Sequence, residues 1–152
     1  MALDWGKCQS SEMEGIVAEG DSVLVSGNER TLTYRPRSVA FSDGTTIEHE
    51  SRGGSLSAVW AGDLGDRYVE IVHLGDGPEG GELVLVVPDA DTVALGDLAG
   101  NDPSAATPEW ASAVDLAIGL TKPGSHILTS DGPMTRDELE DFHQRLLGVL
   151  HG

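Results

Sequence analysis

Leu83-Val84-Leu85-Val86-Val87, closed by Pro88 and followed by Thr92-Val93-Ala94-Leu95-Gly96-Asp97-Leu98, is the stretch on which the fold of this chain turns. A strand with one wet face alternates apolar and polar residues with a period of two, and five apolar residues in a row leave no wet face. The run therefore predicts a strand covered on both sides. Upstream, short β-like runs alternate with turn signals. Residues 22–26 and 31–34 flank Gly27-Asn28-Glu29-Arg30, residues 38–41 and 45–49 flank Ser42-Asp43-Gly44, and residues 55–60 and 68–74 flank Gly62-Asp63-Leu64-Gly65-Asp66. Each reads as a hairpin. The glycine-rich stretch 75–81 reads as a loop.

Helical signals begin only after Asp97. Thr107-Pro108-Glu109 supplies an N-cap, a proline at the first helical position and an acid in the first turn, and Trp110, Ala113, Val114, Ala117 and Ile118 follow on one face. A short strand is expected at 125–129. Thr135-Arg136-Asp137-Glu138 is a capping box, and Leu139, Phe142, Leu146, Val149 and Leu150 form the apolar stripe of the helix it opens. Many strands followed by helix, strand and helix predict an α+β fold: a mixed, largely antiparallel sheet with two C-terminal helices on one face. Residues 1–15 read as an irregular arm and residues 16–152 as a single domain.

Composition narrows the function. Nine Lys and Arg against 26 Asp and Glu give a net charge of −17, a surface that repels phosphate backbones and makes nucleic acid an unexpected partner. Two explanations of the excess stand side by side, a solvated acidic surface and a cation-binding role. No apolar run approaches the length of a membrane span, the N-terminus lacks the pattern of a secretory signal, and the single cysteine, Cys8, excludes an internal disulfide framework. A cytoplasmic protein is expected. No G-x-S-x-G elbow and no P-loop occurs, and Trp5, Trp60 and Trp110 read as core or interface anchors.

Four stretches in order resemble the C-terminal half of metallo-β-lactamase-fold proteins. His73-Leu74-Gly75-Asp76-Gly77-Pro78-Glu79-Gly80-Gly81-Glu82 leading into the Leu83 strand is similar to the family's GPxHTxGD segment. Thr92-Val93-Ala94-Leu95-Gly96-Asp97-Leu98 is similar to VLFTGDL, the Trp110 helix lies where the family places one, and Ile127-Leu128-Thr129-Ser130-Asp131-Gly132-Pro133 is similar to VVPGHGP. The resemblance covers about residues 38–150. It implies half of the family's αβ/βα sandwich, with residues 1–37 in place of most of the other half.

The departures from the family pattern matter for function. The upstream HxHxDH loop of zinc ligands has no counterpart, Pro78 stands where the second histidine is expected, Asp97 keeps the family aspartate, and Asp131 replaces the last histidine. Zinc sites use three or four ligands, usually rich in histidine or cysteine, and these positions do not supply them. The resemblance thus implies a degenerate protein, without catalytic residues, that acts by binding or assembly. The alternative is a residual metal-dependent hydrolase whose site is rebuilt around Asp97 and Asp131. His73, Asp76 and Glu79 complete the candidate metal donors, an oxygen-rich set suited to a divalent cation such as Mg²⁺ or Ca²⁺. Each also has a plain structural reading, as a loop brace for Asp97, a turn residue for Asp131 and a packing residue for His73. No cofactor is expected otherwise. The N-terminal strands are expected to be too few to cover all of the second face of the Leu83 sheet, and a homodimer that stacks two sheets is expected to complete it.

Overall fold

The computed structural model describes residues 2–3, 15–19, 22–35, 38–48, 57–77, 80–99 and 103–151. Among these, twelve strands form two six-stranded sheets, and two helices lie against one of them. The class is α+β.

The first sheet is an antiparallel meander of β1 (Ala2–Leu3), β2 (Ile16–Glu19), β3 (Ser22–Ser26), β4 (Thr31–Arg35), β5 (Ser38–Phe41) and β6 (Thr46–Glu48), each paired with the next. The alternation in the sequence is the cause of its sidedness. Ile16, Ala18, Val23, Val25, Leu32, Tyr34, Val39 and Phe41 are buried on one face, while the residues between them look outward. Ala2 and Leu3 pair with Glu19 and Ala18, so the N-terminal arm is not wholly irregular: its first residues extend the sheet.

The second sheet has the order β12-β11-β10-β9-β8-β7 and contains β7 (Ser57–Asp63), β8 (Tyr68–Gly77), β9 (Gly80–Val87), β10 (Thr92–Gly96), β11 (His126–Thr129) and β12 (Gly132–Met134). Its pairings are antiparallel except β10 with β11, which run parallel and are joined through α1 (Pro108–Gly119). The expected loop at 75–81 is instead mostly strand. β8 continues to Gly77, which pairs with Gly80 at the start of β9, and Asp76 pairs with Gly81. Backbone pairing needs no apolar side chains, so a glycine-rich hairpin leaves little periodic trace in a sequence.

Both faces of the central strands of this second sheet are dry. Val69, Ile71, Leu83, Leu85, Val87, Ala94 and Leu128 pack against the inner face of the first sheet. Val72, Leu74, Val84, Val93, Leu95 and Ile127 pack on the other side with Trp110, Val114, Phe142 and Leu146 of the helices. The layers are therefore sheet, sheet, helices. This corrects the expectation that the N-terminal strands are too few: β1–β6 cover the face for which sheet stacking between two copies was invoked.

Two contacts tie the sheets together. The buried Tyr34 hydroxyl donates to the carbonyl of Leu83 at 2.6 Å, an intersheet bond whose loss would leave a buried acceptor unsatisfied. The β3–β4 and β7–β8 turns also clasp each other. Glu29 and Arg30 N–H groups donate to the Leu64 carbonyl at 2.9 and 3.2 Å, and Asn28 N–H donates to Asp66 Oδ1 at 2.8 Å. Gly65 sits there at φ +112°, and a β-carbon on it would collide with the Asn28 side chain.

The helices start as their sequences dictate. Thr107 Oγ1 accepts from Trp110 N–H at 3.1 Å at the head of α1. At α2 (Arg136–His151) the capping box closes in both directions, Glu138 N–H to Thr135 Oγ1 at 3.1 Å and Thr135 N–H to Glu138 Oε1 at 2.9 Å. Leu139, Phe142 and Leu146 are buried and Leu150 is partly so, with the Phe142 ring 5.8 Å from that of Trp110. Val149 departs from the predicted stripe: it is 43% exposed, in the last turns of α2. No helix among the described residues is long and apolar enough to cross a membrane.

Candidate functional site

The topology of the second sheet decides which candidate residues can meet. β8 and β10 each pair antiparallel with β9, so they run in the same direction, and β11 runs parallel to β10. The carboxyl ends of β8, β10 and β11 therefore lie at one end of the sheet, the place where ligands gather in open sheets with parallel strands. His73 and Asp76 are near the end of β8, Asp97 follows β10, and Asp131 follows β11. The fold brings four of the five candidates to the same end. Glu79, like Pro78, lies outside the described residues.

Asp97 and Asp131 are the closest of these in the topology. Gly96 pairs with Thr129, and Ser130 N–H donates to the Gly96 carbonyl at 2.9 Å, so Asp97 follows one residue after Gly96 and Asp131 one residue after Ser130, just beyond the two strand ends. Neighbouring strands are about 4.8 Å apart. Local geometry holds both loops. Gly96 takes φ +57°, Leu98 N–H closes a turn onto the Leu95 carbonyl at 3.0 Å, and the Trp110 indole N–H donates to the Leu98 carbonyl at 2.7 Å. On the β11 side the Thr129 hydroxyl donates to the Gly132 carbonyl at 2.8 Å and accepts from Asp131 N–H at 3.1 Å, which fixes a tight turn. Asp97 is half-buried and Asp131 exposed, so both carboxylates can meet solvent.

His73 is held apart from them. Ile71 belongs to the intersheet core, and Val72 and Leu74 to the helix-side core, so alternation points His73 between the sheets. Its cross-strand partner Leu83 faces the same layer and carries the carbonyl bonded by Tyr34. The histidine is 1% exposed, and β9 separates its strand from β10, roughly 9.5 Å between backbones at two strand spacings. Its side chain belongs to the layer between the sheets. Asp76 continues β8 past an irregularity in register between His73 and Asp76. Among the described residues no group of three or more His, Cys, Asp or Glu could hold a metal ion.

One residue at this end, which the sequence sets aside as a catalytic serine for want of a paired base, is placed there by the fold. Ser130 Oγ is buried with no hydrogen-bond partner among the described residues, directly beside Asp131. Its neighbours Thr129 and Asp131 in a Thr-Ser-Asp-Gly turn were the available signal, but a serine in such a turn is ordinarily solvated.

Scanned against protein-family models, the chain matches none, and a search of curated proteins finds no match.

Proposed function

We propose that this chain is a cytoplasmic, non-catalytic binding protein built on a degenerate half of a metallo-β-lactamase-like sandwich. The observation that carries the reading is the fate of the donors at the carboxyl end of the second sheet. Two carboxylates stand on adjacent strand ends, and the candidate imidazole, His73, lies in the intersheet core. Zinc hydrolysis needs three fixed ligands, usually with histidine prominent, and an open position for water. Elemental analysis of protein grown with zinc and dialysed against metal-free buffer tests it. The expected content is well below one zinc per chain; a stoichiometric zinc that survives chelator would overturn the reading.

A second reading rests on Asp97 and Asp131 themselves. Carboxylates on neighbouring strand ends suit a hard cation held by oxygen and water, and a residual metal-dependent hydrolase would use that ion. Calorimetric titration with Mg²⁺ or Ca²⁺ distinguishes the two, since this reading requires binding that Asp97→Asn and Asp131→Asn each weaken. Assembly, in our reading, takes the form of a homodimer through the outer face of the first sheet, where Val17 and Leu24 are 44% and 39% exposed. Light scattering at micromolar concentration should then give the mass of two chains, favoured by salt that screens the −17 charge of each. A single-chain mass at every salt concentration would exclude it.

A further inference from the structure

At the opposite end of β11 from Asp131 lies a cleft of about 460 Å³, within the usual range of about 300–1,000 Å³ for small-molecule sites. Its floor is apolar, made by the buried Ile127 and half-buried Met134. Its polar lining includes His126, Ser125 and Arg136. Arg136 is already positioned. Its Nε donates to Thr121 Oγ1 at 3.0 Å, and that hydroxyl donates in turn to the Ile118 carbonyl at 2.8 Å. The guanidinium is thus fixed through one nitrogen, which leaves its two terminal nitrogens for a ligand. A guanidinium so held loses little freedom on forming a two-pronged bond with a carboxylate.

Charge distribution points to the same groove. Residues 61–152 contain four Lys and Arg, namely Arg67, Lys122, Arg136 and Arg145. Arg67 is paired with Asp89 at 3.1 Å. Lys122 is paired with Asp91 at 3.5 Å. Arg136 lines this cleft, and Arg145 lines an adjoining one that shares Met134 and Glu138 and is also lined by Asp141. The two cations of the four that are not paired with an aspartate among the described residues thus line two adjoining clefts. Glu138 also lines it, with Oε1 engaged by the Thr135 N–H of the capping box.

We propose that this groove binds a carboxylate carried on an apolar body, of the size of a medium-chain fatty acid, with Arg136 taking the carboxylate, His126 beside it, and Ile127 and Met134 taking the chain. The proposal is independent of any metal at the other end of the sheet, and its test reads different residues. Octanoate is the probe, with octanol as its neutral counterpart and acetate as the headgroup alone, followed by amide chemical shifts. Octanoate should bind saturably and move the signals of Ile127, Met134 and Arg136, with octanol and acetate at least about tenfold weaker. Arg136→Gln should weaken octanoate about tenfold while its melting temperature shows the fold intact. Met134→Asp places a carboxylate at the floor and should abolish binding without depending on the Thr121 bond. The proposal is overturned by the absence of saturable octanoate shifts, by equal binding of octanol, or by octanoate binding that either folded variant leaves unchanged.

Discussion

In the first sheet, β3 runs half-buried, buried, exposed, buried, exposed along Ser22–Ser26, whereas all five residues of β10 in the second sheet are buried. The sheets have the same number of strands and share one core, yet one keeps a wet face and the central strands of the other keep none. The difference follows from sequence. Polar residues such as Ser22, Thr31, Thr33 and Ser38 interrupt the first sheet, while β9 and β10 contain hardly any. An antiparallel meander can face water on one side, and a sheet that includes a parallel pair with a helical crossover has helices on a face by construction.

Three experiments test that contrast, from the largest effect to the smallest. Phe142→Ala removes a ring that is 0% exposed and packed on Trp110, and should cost about 3–5 kcal/mol by denaturant titration. A change within about 0.5 kcal/mol would mean that the helical layer does not seal the second sheet. Next is a paired comparison inside the first sheet. At protein concentrations low enough to keep the chain monomeric, Leu32→Ala, at a site 0% exposed, should cost about 2–5 kcal/mol, and Leu24→Ala, 39% exposed, should stay within about 0.5 kcal/mol. Equal costs under these conditions would show that the outer face is covered within a single chain and is not open to a second copy.

The smallest effect is electrostatic and confined to the β5–β6 turn. Thr45 N–H donates to Asp43 Oδ1 at 2.9 Å, and this bond, ahead of the Thr45 side chain and Arg30, holds the Asp43 carboxyl below its ordinary 3.8. A carboxylate with a depressed pKa contributes stability that is complete above its unfolded value and is lost as pH falls through its folded value. Asp43→Asn should therefore flatten the fall of melting temperature below pH 3.8. An unchanged acid slope would detach that turn from the stability of the first sheet.

Much of this architecture is written locally. The turn at Gly27–Arg30, the Thr107-Pro108 helix start, the capping box at Thr135 and the doubly covered run from Leu83 to Val87 each depend on residues a few positions apart, and each is found where the sequence predicts it. What was not written locally depends on pairing at long range. That six short strands complete a sheet large enough to cover the core needs the register of all six. The β8–β9 extension through Gly77 and Gly80 is held by backbone bonds that carry no side-chain pattern. That Asp97 and Asp131 follow neighbouring strand ends comes from β10 and β11 lying side by side and parallel, a fact that no spacing between residues 97 and 131 contains. The groove at Arg136 was missed for the same reason, since Thr121, His126 and Arg136 converge only after α1, β11 and α2 are packed.

Native-state amide hydrogen exchange tests most directly the claim that the chain closes both faces of its second sheet by itself. Amides of β9 and β10, bonded within the sheet and dry on both faces, should exchange only through global unfolding, at the full free energy of the domain. Those of the outer strands β2 and β6 should exchange through smaller openings and at lower free energy. If Leu85 and Ala94 instead exchange as readily as Val17 and Ile47, the N-terminal sheet does not seal the core, and the three-layer account is wrong.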